Sequence, residues 1–108
     1  MENVTVNEGK TAAIISYLWI PGLIIAFIMN STKKNAFASF HIRQMIGLMV
    51  LNIIAIIISR YVSTSAAWVI DILALVLWII GFVGAIQGEE KKVPLLGDQF
   101  QEWFKGIG

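Results

Sequence analysis

Three stretches of this chain carry no charge: residues 11–32, 44–59 and 72–88. Charged and turn-forming residues return between them. A hydrocarbon core of roughly 30 Å is crossed by about 20 apolar helical residues, and backbone in lipid must satisfy its own hydrogen bonds, as a helix does. The pattern predicts an all-α integral membrane protein with three transmembrane helices, a single membrane domain over residues 1–108. The expected elements are a first helix over about residues 11–29, an amphipathic interfacial segment leading into a second helix over 36–59, a third helix over 66–87 and an amphipathic interfacial tail over 93–108.

Local signals refine this picture. Pro21-Gly22 falls near the middle of the first block, where a proline removes a donor and kinks a helix. In the lead-in, Phe37 and Phe40 suit the membrane boundary while His41 and Arg43 suit water. The second helix has 16 uncharged residues between Arg43 and Arg60, about 24 Å at 1.5 Å per residue. Snorkelling of the two arginines covers the shortfall. Ser65 is the expected N-cap of the third helix, and Trp68 sits at the depth that indoles prefer. In the tail, Phe100, Trp103, Phe104 and Ile107 repeat at i, i+3, i+4 and i+7, an apolar stripe suited to the membrane surface.

Charge supplies an orientation. With three crossings, Lys10 and Arg60 share one side, and Lys33, Lys34, Arg43, Lys91, Lys92 and Lys105 the other. The richer side is expected to be cytoplasmic, giving a multi-pass protein, N-out and C-in. The start, Met1-Glu2-Asn3, is acidic and polar and the following apolar run is long, so the first block reads as a retained helix rather than a cleaved signal. Charged residues make up 14% of the chain, well under the roughly 25% of a soluble domain. A net charge of +1 gives no general attraction to nucleic acid, and the absence of cysteine excludes disulfides and thiolate metal sites.

Few residues suggest chemistry. On the second helix, His41, Gln44, Asn52 and Ser59 fall towards one side. They form either one wall of a polar pathway or a set of interhelical hydrogen bonds worth about 1 kcal/mol each. Asp71 is an intramembrane acid if the third helix starts at Ala66, and a helix cap if it starts at Asp71 itself. His41 is the single histidine, so a metal site is not expected, and a His41–Asp71 pair would lack a nucleophile. Neither enzyme activity nor a cofactor is expected. Gly84 with Gly88, Gly81 with Ala85 and Gly22 with Ala26 have the spacing that lets helices approach closely, within the chain or between copies.

Phe40-His41-Ile42-Arg43-Gln44 at the entry to the second helix, Gly88-Glu89 closing the third, and Val93-Pro94-Leu95-Leu96-Gly97 after it resemble a known pattern. They are similar to the small bacterial membrane proteins related to the chloroplast inner-envelope import component, the Tic-twenty-like proteins, over roughly residues 11–97. The resemblance implies a non-enzymatic subunit of a larger membrane assembly, translocon-like, in the bacterial cell inner membrane. Two other functions are open: a homo-oligomeric small ion or solute channel, and a structural or regulatory membrane protein that binds lipid or a larger complex.

Overall fold

The computed structural model describes residues 3–107, with side chains from residue 5 onward. Those residues form five helices and no strand: α1 (Asn3–Ser16), α2 (Trp19–Lys33), α3 (Ala36–Tyr61), α4 (Thr64–Gln87) and α5 (Gly97–Trp103).

The first uncharged block departs most from its pattern, because it is two helices separated at Tyr17 and Leu18. Pro21 accounts for the position. It has no N–H, so the carbonyl four residues back, on Tyr17, has no helical donor. The chain breaks there, and Pro21 falls in the first turn of α2, where a missing donor is harmless. Trp19 makes the reversal at φ 63°, a backbone conformation that costs a non-glycine residue on the order of 1–3 kcal/mol. The indole N–H of Trp78 on α4 donates to the orphaned Tyr17 carbonyl at 2.8 Å.

The expected kink is thus a hairpin. Asn35 Nδ2 donates to the Thr5 carbonyl at 2.9 Å, which brings the end of α2 back beside the first turns of α1. Gly22 and Ala26 are buried along the seam, and a Cβ on Gly22 would overlap the Ile15 carbonyl. This corrects the single helix expected over residues 11–29, which is two helices. Helices of 14 and 15 residues reach about 21–23 Å, short of a roughly 30 Å core. Among the described residues, two helices are long and apolar enough to cross a membrane, α3 and α4.

The lead-in to the second helix is also different. Asn35 caps α3 by accepting from the Ala38 N–H at 3.0 Å, so residues 36–44 are the first turns of one 26-residue helix. They continue directly into the second helix rather than forming a separate element before it. Phe37, Phe40, His41 and Gln44 are all buried, because the α1–α2 hairpin and the tail both pack on α3. Ser63, rather than Ser65, caps α4 by accepting from the Ala66 N–H at 3.3 Å. Asp71 therefore lies two turns inside α4 and is not its cap. Gly88, at φ 76°, closes α4 with the Glu89 N–H bonded to the Gly84 carbonyl at 2.8 Å, the left-handed ending that glycine permits.

The tail docks on the protein itself. The Phe100 ring occupies the space that a Cβ on Gly47 would need. Phe100 is buried while Trp103 is exposed, so the expected apolar stripe is divided between the fold and its surroundings.

The hairpin also brings the start of α1 to the same end of the molecule as the close of α4, two ends that the N-out, C-in expectation separates. A Val6 methyl lies 2.9 Å from where a Cβ on Gly88 would stand, so the start of α1 is beside the end of α4. Lys10 joins Lys33, Lys34, Arg43, Lys91, Lys92 and Lys105 on the same half of the molecule, and Arg60 stands alone at the other end. The cysteine-free chain offers a direct check in sealed membrane vesicles with a membrane-impermeant thiol reagent. Cysteines introduced as Asn7→Cys and Glu102→Cys should label from the same side, and Val62→Cys from the opposite one. Opposite sidedness of positions 7 and 102 would contradict the hairpin.

Candidate functional site: a sealed polar knot beneath an open cleft

Three buried polar side chains meet where the hairpin tip, α3 and the tail converge. The His41 ring is enclosed by the rings of Tyr17, Phe37 and Phe40, each edge-on with centroids 4.8–5.4 Å away. Its Nε2 lies 2.9 Å from the Glu89 carbonyl. A carbonyl can only accept, so Nε2 carries the proton, and Nδ1 accepts from the Tyr17 hydroxyl at 2.6 Å. The Tyr17 oxygen in turn accepts from Gln44 Nε2 at 2.9 Å. The second amide hydrogen of Gln44 goes to the Lys91 carbonyl at 3.1 Å, and its Oε1 accepts from the Val93 N–H at 3.0 Å. Among the described residues no buried side-chain nitrogen or oxygen lacks a partner. Both nitrogens of the imidazole are engaged, which leaves it no free position for a substrate.

Most partners of this knot are backbone atoms of the tail. Arg43 extends the pattern, with Nε and Nη2 donating to the carbonyls of Ile107 at 2.9 Å and Lys105 at 3.1 Å. Gln101 replies from the tail by donating to the Phe40 carbonyl at 2.8 Å. The Phe40-His41-Ile42-Arg43-Gln44 segment is thus a set of side chains that hold an irregular strand of backbone. Gly81 is part of the same geometry: a Cβ there would stand 2.8 Å from the Tyr17 hydroxyl and 2.9 Å from Gln44 Nε2. Gly84 and Ala85 are buried in the same stretch of α4, and a Cβ on Gly84 would meet Lys91 at 2.7 Å. These small residues, with Gly22, Ala26 and Gly88, face contacts inside one chain.

Beyond the hairpin tip, α3 and α4 continue with only each other. An open cleft of 440 Å³ begins there, between the tip residues Tyr17 and Trp19 and the side chains of Asn52, Asp71 and Trp78. A second hollow of 330 Å³ continues outward past Asn52 and Asp71 to Ser59 and Arg60. The candidate polar line of the second helix is therefore cut in two: His41 and Gln44 lie in the sealed knot, and Asn52 and Ser59 line the cleft. Asp71 faces the cleft from α4 and is exposed. Neither Asn52 nor Asp71 has a side-chain hydrogen bond or ion pair among the described residues.

Over 103 residues the chain is 34% identical to the UPF0132 membrane protein of Methanocaldococcus jannaschii, a match covering 91% of this chain and 71% of that relative. It belongs to the UPF0132 family of membrane proteins. No family model matches the chain, nor does any solved structure. With the two long apolar helices, this membership makes it a membrane protein. The relative's name describes a membrane protein and carries no link to the plastid import component.

Sequence reasoning missed Tyr17, Trp78 and Asn35. The spacing of Pro21 four residues after Tyr17 was the one local signal, since it marks a carbonyl in need of a donor. Tyr17→Phe removes a single hydroxyl and leaves a His41 acceptor and a Gln44 donor unpaired. Each such loss costs roughly 1–3 kcal/mol, so thermal unfolding in detergent should show a clear destabilisation, and Gly81→Ala should do the same by crowding the knot. Unchanged stability in both variants would contradict the closed arrangement.

Proposed function

We propose that this family member is a non-enzymatic, multi-pass membrane subunit that works within a larger assembly and receives a partner's transmembrane segment in the cleft at Asn52 and Asp71. One observation carries the reading: an amide and a carboxylate two to three turns inside spanning helices, unbonded within the chain and open to one side. Polar groups at that depth are costly when they face lipid and usually face protein or water. A helix carrying a complementary polar group would satisfy them.

The resemblance of the His41-Ile42-Arg43-Gln44 entry and the Pro94-Leu95-Leu96-Gly97 tail to the import-component relatives supports a translocon-like role for that assembly, although kinship alone assigns no activity. The accumulation of basic residues on one half of the molecule supports placing that end in the cytoplasm, in a cell inner membrane, with the hairpin opening and the tail on the same side. A homo-oligomeric channel is less well supported. Its lumen would need the polar line of α3 to be continuous, and the inner half of that line is sealed beneath the tail.

The test is gentle extraction of the tagged chain followed by native mass spectrometry and identification of bound membrane proteins. The wild-type chain should retain a stoichiometric membrane partner. Asp71→Asn should insert and fold normally but lose about tenfold or more of that partner, as expected for an interaction worth roughly 1.4 kcal/mol. Full partner recovery by Asp71→Asn, or a clean homo-oligomer with no other protein, would overturn the proposal.

A further inference from the structure

At the opposite end from the open cleft, a third hollow has a different chemistry. It measures 580 Å³ and lies between the α2–α3 link and the tail, lined by Lys34, Arg43, Lys92 and Lys105 with one carboxylate, Glu90. We propose that this hollow binds the phosphate of an anionic membrane lipid.

Convergence is the first argument. The four cations come from the end of α2, the second turn of α3 and both sides of α5, so the fold, rather than a local run of sequence, gathers them around one cavity. Burial pushes the Glu90 carboxyl up from the ordinary carboxylate range, and four cations surround that single acid. Availability is the second. Arg43 spends two of its five donors on the Ile107 and Lys105 carbonyls. Those bonds fix the guanidinium and leave the remaining donors for a ligand. Lys92 pairs with Asp98 at 2.7 Å and Lys105 with Glu102 at 3.1 Å, all four side chains more than half exposed. Exposed pairs of this kind contribute little and can exchange for a phosphate.

Depth decides the source of that phosphate. The hollow surrounds the first two turns of α3, and a 26-residue helix exceeds a roughly 30 Å core by about 9 Å. Those turns stand at headgroup level. Phe40 and Ile107 line the same hollow, and Trp103 and Leu95 are exposed on the same tail, giving the glycerol and upper acyl chain an apolar border. A free phosphate would make no use of it.

The experiment uses the full chain in detergent, titrated by native mass spectrometry with phosphatidylglycerol or phosphatidylcholine of identical acyl chains. Phosphatidylglycerol should bind at least about fivefold more tightly. Each lysine beside an anionic headgroup is worth roughly fivefold, so Lys34→Gln with Lys105→Gln should reduce that binding by about tenfold or more. Lys34→Arg with Lys105→Arg should restore it. The charge-matched control, Lys10→Gln with Lys33→Gln, lies outside the hollow and should stay within about twofold of wild type. Equal affinity for the two lipids, or equal losses in the two glutamine pairs, would overturn the site. Displacement of the lipid by inorganic phosphate would overturn its assignment to lipid.

Discussion

The arrangement rests on the bonds among Tyr17, His41 and Gln44. Each side chain brings polar atoms into a region with no water to receive them, where an unpaired group is costly. They are held because every partner is present at once: a tyrosine hydroxyl, the imidazole, an amide, two tail carbonyls and one tail N–H. Such a knot has no useful intermediate, since a half-satisfied polar network is worse than an apolar core. Closing it fixes three elements in one step. The hairpin tip is set against α3 and α4, those two helices are held together, and the tail from Glu89 to Val93 is drawn over their shared end.

The open cleft is a consequence of the same bonds. Because Tyr17 is held by His41 and Gln44, and its carbonyl by Trp78, the hairpin turns back before it can cover the outer halves of α3 and α4. One half of the molecule is consequently sealed, basic and self-contained, and the other exposes Asn52 and Asp71 along a two-helix face. The glycines follow this division. Gly81, Gly84 and Gly88 admit the knot, the tail and α1 at the sealed end, and no glycine lies in the cleft half of α3 or α4.

The all-helical class, the membrane setting and the two long spans were legible because they depend on local apolarity and length, which the sequence displays directly. The first block was not, for a physical reason. Its apolar run is long enough to cross a bilayer, and what divides it is a donor on Trp78, 61 residues away, together with the Asn35 contact to Thr5. A single crossing would separate the two ends of the chain, whereas the hairpin groups Lys10 with the basic residues near the tail. The bonding of the segment from Ala36 to Gln44 was hidden for a similar reason. Its mixture of polar and apolar residues suggested a water boundary, whereas its polar side chains are bonded to tail backbone nearly 50 residues further on. Asp71 could not be placed from sequence because the start of α4 was open by a few residues, and the Ser63 cap puts it two turns inside that helix.

One imidazole ties the hairpin to the tail, and the chain has a single histidine, so its nitrogen signals need no assignment. Nitrogen-15 NMR of histidine-labelled protein in lipid reads the tautomer directly. The expected result is one neutral ring protonated at Nε2, with the Nδ1 signal shifted by a short hydrogen bond that disappears in Tyr17→Phe. A ring protonated at Nδ1, or a pair of signals exchanging between both tautomers, would contradict the bonds to Tyr17 and Glu89 and with them the placement of the hairpin and tail.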